Sequence, residues 1–362
     1  MEVESPEELG YGNIRNNLSE SSVADRVLGD FTVDLAGLTL LYGEHRGEAR
    51  LRELIATQAE SPTIAADDVL VTAGAAGALF IVATTLLDAQ SHLVVVRPNY
   101  ATNLETPRAI GCAISCIDLE FASGFRLDLD AVAHAITPAT RLISVTTPHN
   151  PTGTILSRAD LESLDALAER AGCLVLVDET YRDLTHAQPG ASAASISARV
   201  IAVSSLSKAY GTPGLRVGWI ICRDAELQTR FLAAKEQIGI CGSVVDEALG
   251  AAVLVERAPW LATNRPLNVA RLRTVREWIA GEPLMEWVEP AGGVVCFPRM
   301  TVQAEIDVDH FYASLLTSHG TYVGPGHWFE MSKRFMRIGF GWPREEELRD
   351  GLAGISLALR EH

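Results

Sequence analysis

Ser205, Lys208 and Arg216 form the most chemically suggestive group in the chain. They stand in Ser205-Leu206-Ser207-Lys208 and Arg216-Val217-Gly218-Trp219, with a Gly/Pro loop (Gly211, Pro213, Gly214) between the two segments. A primary amine condenses with an aldehyde, and a hydroxyl and a guanidinium beside it bind a dianionic phosphate. One small molecule carries both groups, pyridoxal 5′-phosphate (PLP). On this reading Lys208 supplies the Schiff-base nitrogen, while Ser205 and Arg216 bind the phosphate.

Other residues upstream suit the same molecule. Ala73-Gly74-Ala75-Ala76-Gly77 follows the apolar run Val69–Thr72 and precedes a helical pattern. Small residues at such a turn let backbone N–H groups and the helix dipole approach a phosphate. Tyr100, in Pro98-Asn99-Tyr100, stands where an aromatic ring can stack on a pyridine. Asn150, in His149-Asn150-Pro151-Thr152-Gly153, offers an amide held by the following proline, able to donate to a phenolic oxygen. Asp178 ends the apolar run Leu174–Val177. A carboxylate there costs several kcal/mol unless it meets a cation, and a protonated pyridine nitrogen would be that cation.

The elements that must position these groups are short β-branched runs alternating with helical patterns. Strands are expected at Val69–Thr72, Leu93–Val96, Ala113–Ile117, Leu142–Thr146, Leu174–Val177 and Val200–Ser204. Helices are expected at Ala49–Gln58, Ala76–Leu87, Arg158–Ala171 and Val244–Glu256. Continuous apolar strands between amphipathic helices predict an α/β fold with a mostly parallel sheet covered on both faces. Asn264–Ala280 reads as one long helix with Pro266 near its start. Val294–Phe297, Phe311–His319, Met336–Phe340 and Glu345–Leu359 read as a smaller α/β unit. The expected division is an N-terminal arm (1–35) packing on the small unit, a large domain (36–262), and the long helix with the small domain (263–362).

At 362 residues, with 48% hydrophobic and 21% charged residues, the chain has the composition of a globular protein of one or two domains. A formal net charge of −16 argues against nucleic acid and anionic membrane as partners. No run of 18 uncharged apolar residues and no secretory leader is read. The six cysteines, without a C-x-x-C, read as free thiols of a cytoplasmic protein. No metal site is expected.

These motifs, in this order, resemble those of fold type I PLP enzymes, the aspartate aminotransferase superfamily, over about residues 14–359. The resemblance implies the two-domain α/β fold, PLP as cofactor, a small-molecule amino acid as substrate, and a homodimer with shared active sites. It implies that Gly74, Ala75 and Ala76 cradle the phosphate, and that Tyr181 hydrogen-bonds the phenolic O3′. It implies that Tyr42, in Tyr42-x4-Gly47-x3-Leu51-Arg52, reaches the phosphate in the neighbouring subunit. Arg337, in Arg337-Ile338-Gly339-Phe340, grips the substrate's α-carboxylate. The activity implied is transfer of an amino group from an L-amino acid to a 2-oxo acid, with Lys208 removing the α-proton.

The chain departs from that pattern near its N-terminus. Where typical relatives carry Gly-x-Pro, it reads Asn17-Leu18-Ser19-Glu20-Ser21-Ser22-Val23. That segment, with Leu41–Gly47, Gly292–Pro298 and Met336–Phe340, looks like a particular class I/II branch, while Thr147–Pro151, Leu206–Gly211, Pro213–Trp219 and the C-terminal Gly-Gly-Val…Phe-Pro-Arg look similar to enzymes of the capreomycidine synthase kind, which cyclise a β-hydroxylated arginine. The alternative activity is therefore β-elimination and ring closure on an arginine derivative in specialised metabolism. Glu20 is the candidate to hold a guanidinium or ammonium side chain.

Overall fold

The protein is described by a computed structural model, covering residues 4–187 and 189–361. Residues 1–3 of the expected arm and residue 362 lie outside the described residues. Seven strands form the central sheet: β1 (Val69–Ala73), β2 (His92–Arg97), β3 (Ala113–Asp118), β4 (Thr140–Thr146), β5 (Leu174–Asp178), β6 (Val200–Ser205) and β7 (Val217–Ile221). Their spatial order is β1-β7-β6-β5-β4-β2-β3. All pairings are parallel except those of β7, which runs antiparallel to both β1 and β6. Val, Ile and Leu fill both faces of the inner strands, which accounts for the unbroken apolar runs in the sequence. The six expected strands are all present, lengthened by one or two residues. Strand β7 was not expected, because Val-Gly-Trp-Ile-Ile reads as the tail of the arginine motif.

The helices Ala49–Gln58 and Arg158–Ala171 have the bounds read from sequence. Arg158–Ala171 is delimited locally: Ser157 and Asp160 form a reciprocal capping box, and Gly172 ends the helix at φ 68°. The helix after β1 begins at Gly74, two residues earlier than expected. Thr102–Ile110, Leu129–Ala135 and Ala225–Gly239 are further helices that periodicity alone did not reveal. The long helix is longer than expected, Arg257–Gly281, and Pro266 lies inside it. The expected boundary at 262/263 therefore falls within a continuous helix.

Beyond that helix, β8 (Val295–Cys296), β9 (Gly324–Pro325) and β10 (Met336–Gly339) form a small antiparallel sheet in the order β8-β10-β9. The N-terminal arm joins this region: Asn16–Asn17 pairs in parallel with Thr321–Tyr322, and Gly339 N donates to the Leu18 carbonyl at 2.7 Å. All six cysteines are free, with Cys116 and Cys241 partly exposed. Among the described residues no helix is long and apolar enough to cross a membrane.

Candidate active site

Strands β2, β4, β5 and β6 end on one edge of the sheet, joined there by the C-terminal end of β1. Carboxyl ends of parallel strands are where open α/β sheets bind ligands, because the chain diverges there and leaves a crevice. A cleft of about 570 Å³ occupies that edge. Ala75, Ala76, Tyr100, Asn150, Asp178 and Tyr181 line it, as do Ser205, Lys208, Arg216, Arg337 and Glu20. Residues from Glu20 to Arg337 are thus gathered by strand ends and by the folded-back arm.

The floor near β1 is built to receive an anion. The helix Gly74–Leu86 starts without a side-chain cap, so its first amides are free of the usual hydroxyl or carboxylate acceptor. Gly74 is required there: it has φ 72°, and a Cβ would stand 2.5 Å from Arg216 Nη2. Arg216 donates to Ser207 Oγ at 3.4 Å and to the Pro213 carbonyl at 2.9 Å, and has no carboxylate partner among the described residues. Ser205 and Ser207 stand beside it, the Ser207 N–H donating to Ser205 Oγ at 3.3 Å.

The middle of the cleft holds the ionisable groups. Asp178, the last residue of β5, is buried. Its Oδ1 accepts from Thr180 N at 3.0 Å and Thr180 Oγ1 at 2.6 Å. Burial raises its pKa, against those two hydrogen bonds and the Lys208 charge. Lys208 Nζ donates to Ser21 Oγ at 3.0 Å. Burial lowers the lysine's pKa, and the cations Arg337 and Arg216 add to that, with Glu20 opposing. The Tyr181 phenol is pushed up to about 12 by burial. Its hydroxyl is buried without a hydrogen bond of standard geometry, although Ser21 and Arg337 lie near enough to pull its pKa down. Tyr100 is held by Asn99, whose Oδ1 accepts from Tyr100 N at 2.8 Å, Asn103 Nδ2 at 3.0 Å and Thr146 Oγ1 at 3.3 Å.

Arg337 closes the far side from β10. Its Nη1 donates to Asn150 Oδ1 at 3.1 Å and its Nη2 to the Ser19 carbonyl at 2.7 Å, with the Phe329 ring 5.1 Å from the guanidinium carbon. The side chain is buried, and among the described residues no carboxylate forms an ion pair with it and its Nε has no hydrogen-bond partner. A buried, uncompensated cation beside a cleft is a receptor for a carboxylate. The arm presents to the same cleft Glu20, which accepts from Tyr11 Oη at 3.0 Å, and the exposed Glu7 and Glu8 of the turn Pro6–Leu9.

Of the candidates, Gly74 lies behind the cleft against Arg216 rather than on its lining, and Tyr42 lies away from it. The tyrosine is 77% exposed on a loop beside Leu40 and Leu41, lining a separate surface depression with the helix Val244–Val255. Sequence reasoning missed Ser21, Thr180, Glu7, Glu8 and Trp328. Ser21 and Thr180 lay inside quoted motifs without assigned roles. The other three lie in no motif, and only folding brings them to the cleft.

The sequence profile of the family Aminotransferase class I and II matches residues 15–355. Capreomycidine synthase of Streptomyces vinaceus is 34% identical, over 97% of this chain and 92% of that protein. Arginine–pyruvate transaminase AruH of Pseudomonas aeruginosa is 31% identical, over 90% of this chain and 84% of its own. The crystal structure of a PLP-dependent aminotransferase from Streptococcus suis superposes with a TM-score of 0.89 at 26% identity, covering 97% of this chain and 95% of that one. The sheet order, the strand-end cleft and these likenesses agree: this chain is a member of the class I and II aminotransferase family, with the aspartate aminotransferase fold of PLP-dependent enzymes.

Proposed function

We propose that the chain is a PLP-dependent enzyme acting at the α-carbon of an L-amino acid with a cationic side chain, and that it transfers the amino group to a 2-oxo acid. The observation that carries the substrate class is that one cleft is lined both by buried Arg337, with no carboxylate ion pair among the described residues, and by the acidic arm residues Glu20, Glu7 and Glu8. Such a site takes a zwitterion extended by a further positive group. The name of one relative, arginine–pyruvate transaminase, supports the same class.

The residues present fit the cofactor. The uncapped helix N-terminus with Ala75, Ala76, Ser205 and Arg216 suits its phosphate, with Gly74 giving the room. The Tyr181 hydroxyl, unsatisfied and buried, and the free Nδ2 of Asn150 suit its phenolic oxygen. Asp178 suits a ring-nitrogen cation, Tyr100 the ring face, and Lys208 covalent attachment. When bound, the group draws electrons from the substrate's α-carbon. The protein's own part is to seat the α-carboxylate on Arg337 and the distal cation near Glu20, and to take the α-proton onto Lys208 Nζ.

A second reading is favoured by the whole-length likeness to capreomycidine synthase: loss of a β-hydroxyl from a hydroxylated arginine, then ring closure through a guanidine nitrogen. The two readings separate in one experiment. The protein is incubated with L-arginine or β-hydroxyarginine, with and without pyruvate. Consumption limited to one equivalent until pyruvate is added means amino transfer; catalytic loss of water without pyruvate means elimination. If neither compound is consumed while neutral amino acids are, the cationic substrate class is wrong. Borohydride reduction of the loaded protein should fix the cofactor on Lys208, and a label elsewhere would overturn the site.

The assembly we propose is a homodimer in which Tyr42 serves the partner's phosphate site. In that assembly the arm of residues 1–35 packs with the C-terminal region as the smaller domain beside the large one. Mixed Lys208→Ala and Tyr42→Phe/Arg337→Ala chains should regain activity only if the clefts are shared.

A further inference from the structure

We propose that Ser21 is a positioning residue for Lys208: its hydroxyl holds the lysine amine on the arm side of the cleft while that amine moves the substrate's proton. The inference rests on the reading of Lys208 as the base. In the step concerned, the α-proton passes to Nζ and the C–H electron pair stays with the substrate.

Two observations carry it. First, the Ser21 hydroxyl, 3.0 Å away, is the one hydrogen-bond partner of Lys208 Nζ among the described residues, and Ser21 is 5% exposed. Second, the hydroxyl is held rigidly. Val23 N donates to the Lys208 carbonyl at 3.1 Å and Arg26 N to the Gly211 carbonyl at 2.8 Å, so the arm runs alongside the lysine loop. On its other side the arm touches β10 so closely that a Cβ on Gly339 would lie 1.7 Å from the Glu20 carbonyl oxygen. Nor could Gly211 move the arm aside, since a Cβ there would meet the Ala24 carbonyl oxygen at 2.2 Å.

The chemistry of the pair is specific. A buried ammonium between Arg337 and Arg216 needs an acceptor, and a serine oxygen supplies one without adding a fixed charge. When the amine is neutral the same hydroxyl rotates, so neither protonation state of Lys208 is left without a partner. Ser21 also pulls on the Tyr181 phenol, which links the base to the group proposed to face the cofactor's oxygen.

The test begins with the full-length protein freed of cofactor. The rate at which trinitrobenzenesulfonate modifies Lys208, located by mass spectrometry, is followed against pH for the wild type, Ser21→Ala and Ser21→Thr. Losing the acceptor should lower the Lys208 midpoint by about one pH unit, a tenfold change in its protonation equilibrium. Ser21→Thr should return it towards wild type. With cofactor restored, exchange of the α-hydrogen of bound L-arginine in D2O should slow about tenfold in Ser21→Ala, while arginine affinity stays within about threefold. An unshifted midpoint, or an exchange rate indifferent to the hydroxyl, would overturn the proposal, as would equal losses in Ser21→Ala and Ser21→Thr. If alanine disturbs the arm, Ser21→Gly makes the same test with less volume. Failure of arginine to bind would instead count against the proposed substrate, and the midpoint would still decide the Ser21–Lys208 contact.

Discussion

Arg337 Nη1 donates to Asn150 Oδ1 at 3.1 Å, joining the small C-terminal sheet to the loop that follows β4. A guanidinium can only donate, so the amide must turn its oxygen to Arg337 and its Nδ2 the other way. One hydrogen bond thus couples a carboxylate receptor to the orientation of an amide donor. Lys208, Asp178 and Tyr181 share the same cleft.

Arg337→Gln should raise KM for the amino acid by roughly thirtyfold to several-thousandfold, the scale of about 2–5 kcal/mol for truncating one partner of a buried charge pair. Its effect on kcat should be smaller, because the guanidinium grips a group that does not react. Steady-state kinetics with the amino acid varied at saturating 2-oxo acid check this. A kcat loss with unchanged KM would place the carboxylate elsewhere.

Asp178→Asn should keep the fold and cut turnover by roughly thirtyfold to several-thousandfold, the equivalent of about 2–5 kcal/mol for a broken buried pair. Burial already raises the Asp178 pKa, so the cofactor-free variant should be no less stable than wild type at neutral pH. Turnover near wild type would show that the carboxylate does not face a cation.

His149 gives a pH dependence with a definite sign. Its Nδ1 lies 2.8 Å from Thr152 Oγ1, its Nε2 is buried without a hydrogen bond of standard geometry among the described residues, and burial lowers its pKa to about 4 against a weak pull upward from the Pro98 carbonyl. A histidine depressed from about 6.5 in the unfolded chain favours the fold fully above pH 6.5. That contribution is lost as pH falls to about 4. Between those values the wild type should lose about 3 kcal/mol more stability than His149→Gln. Urea unfolding of both proteins across that range checks it, and parallel curves would show that His149 is protonated in the folded state.

Gly339→Ala should destabilise the protein by about 1–3 kcal/mol, the usual range for overpacking a filled interior. Its Cβ would meet backbone, the Glu20 carbonyl at 1.7 Å, so relief requires the arm to lift. Limited proteolysis should then cut near residues 15–25 faster than in the wild type. An arm equally resistant in both proteins would mean the close approach can relax elsewhere.

The sequence by itself determined the order of strands and helices and most of the cleft. Runs such as Leu142–Thr146 have to be buried on both faces, and Asp178, Asn150 and Tyr100 follow strand ends, where a parallel sheet always opens a crevice. It also carried Lys208, Ser205 and Arg216, whose spacing is fixed by one tight loop. Three things were decided only by the tertiary structure. Strand β7 inserts antiparallel between β1 and β6, a choice of pairing that local pattern does not encode. Glu7, Glu8 and Trp328 reach the cleft through the path of the arm and the C-terminal sheet, contacts that span up to hundreds of residues. And Ser21 meets Lys208 across 187 positions, because Gly211 and Gly339 leave just enough space for the arm to lie between the lysine loop and β10. Hydrophobic periodicity reports which face of an element is buried; it carries no record of which distant backbone will pass through the gap a glycine leaves.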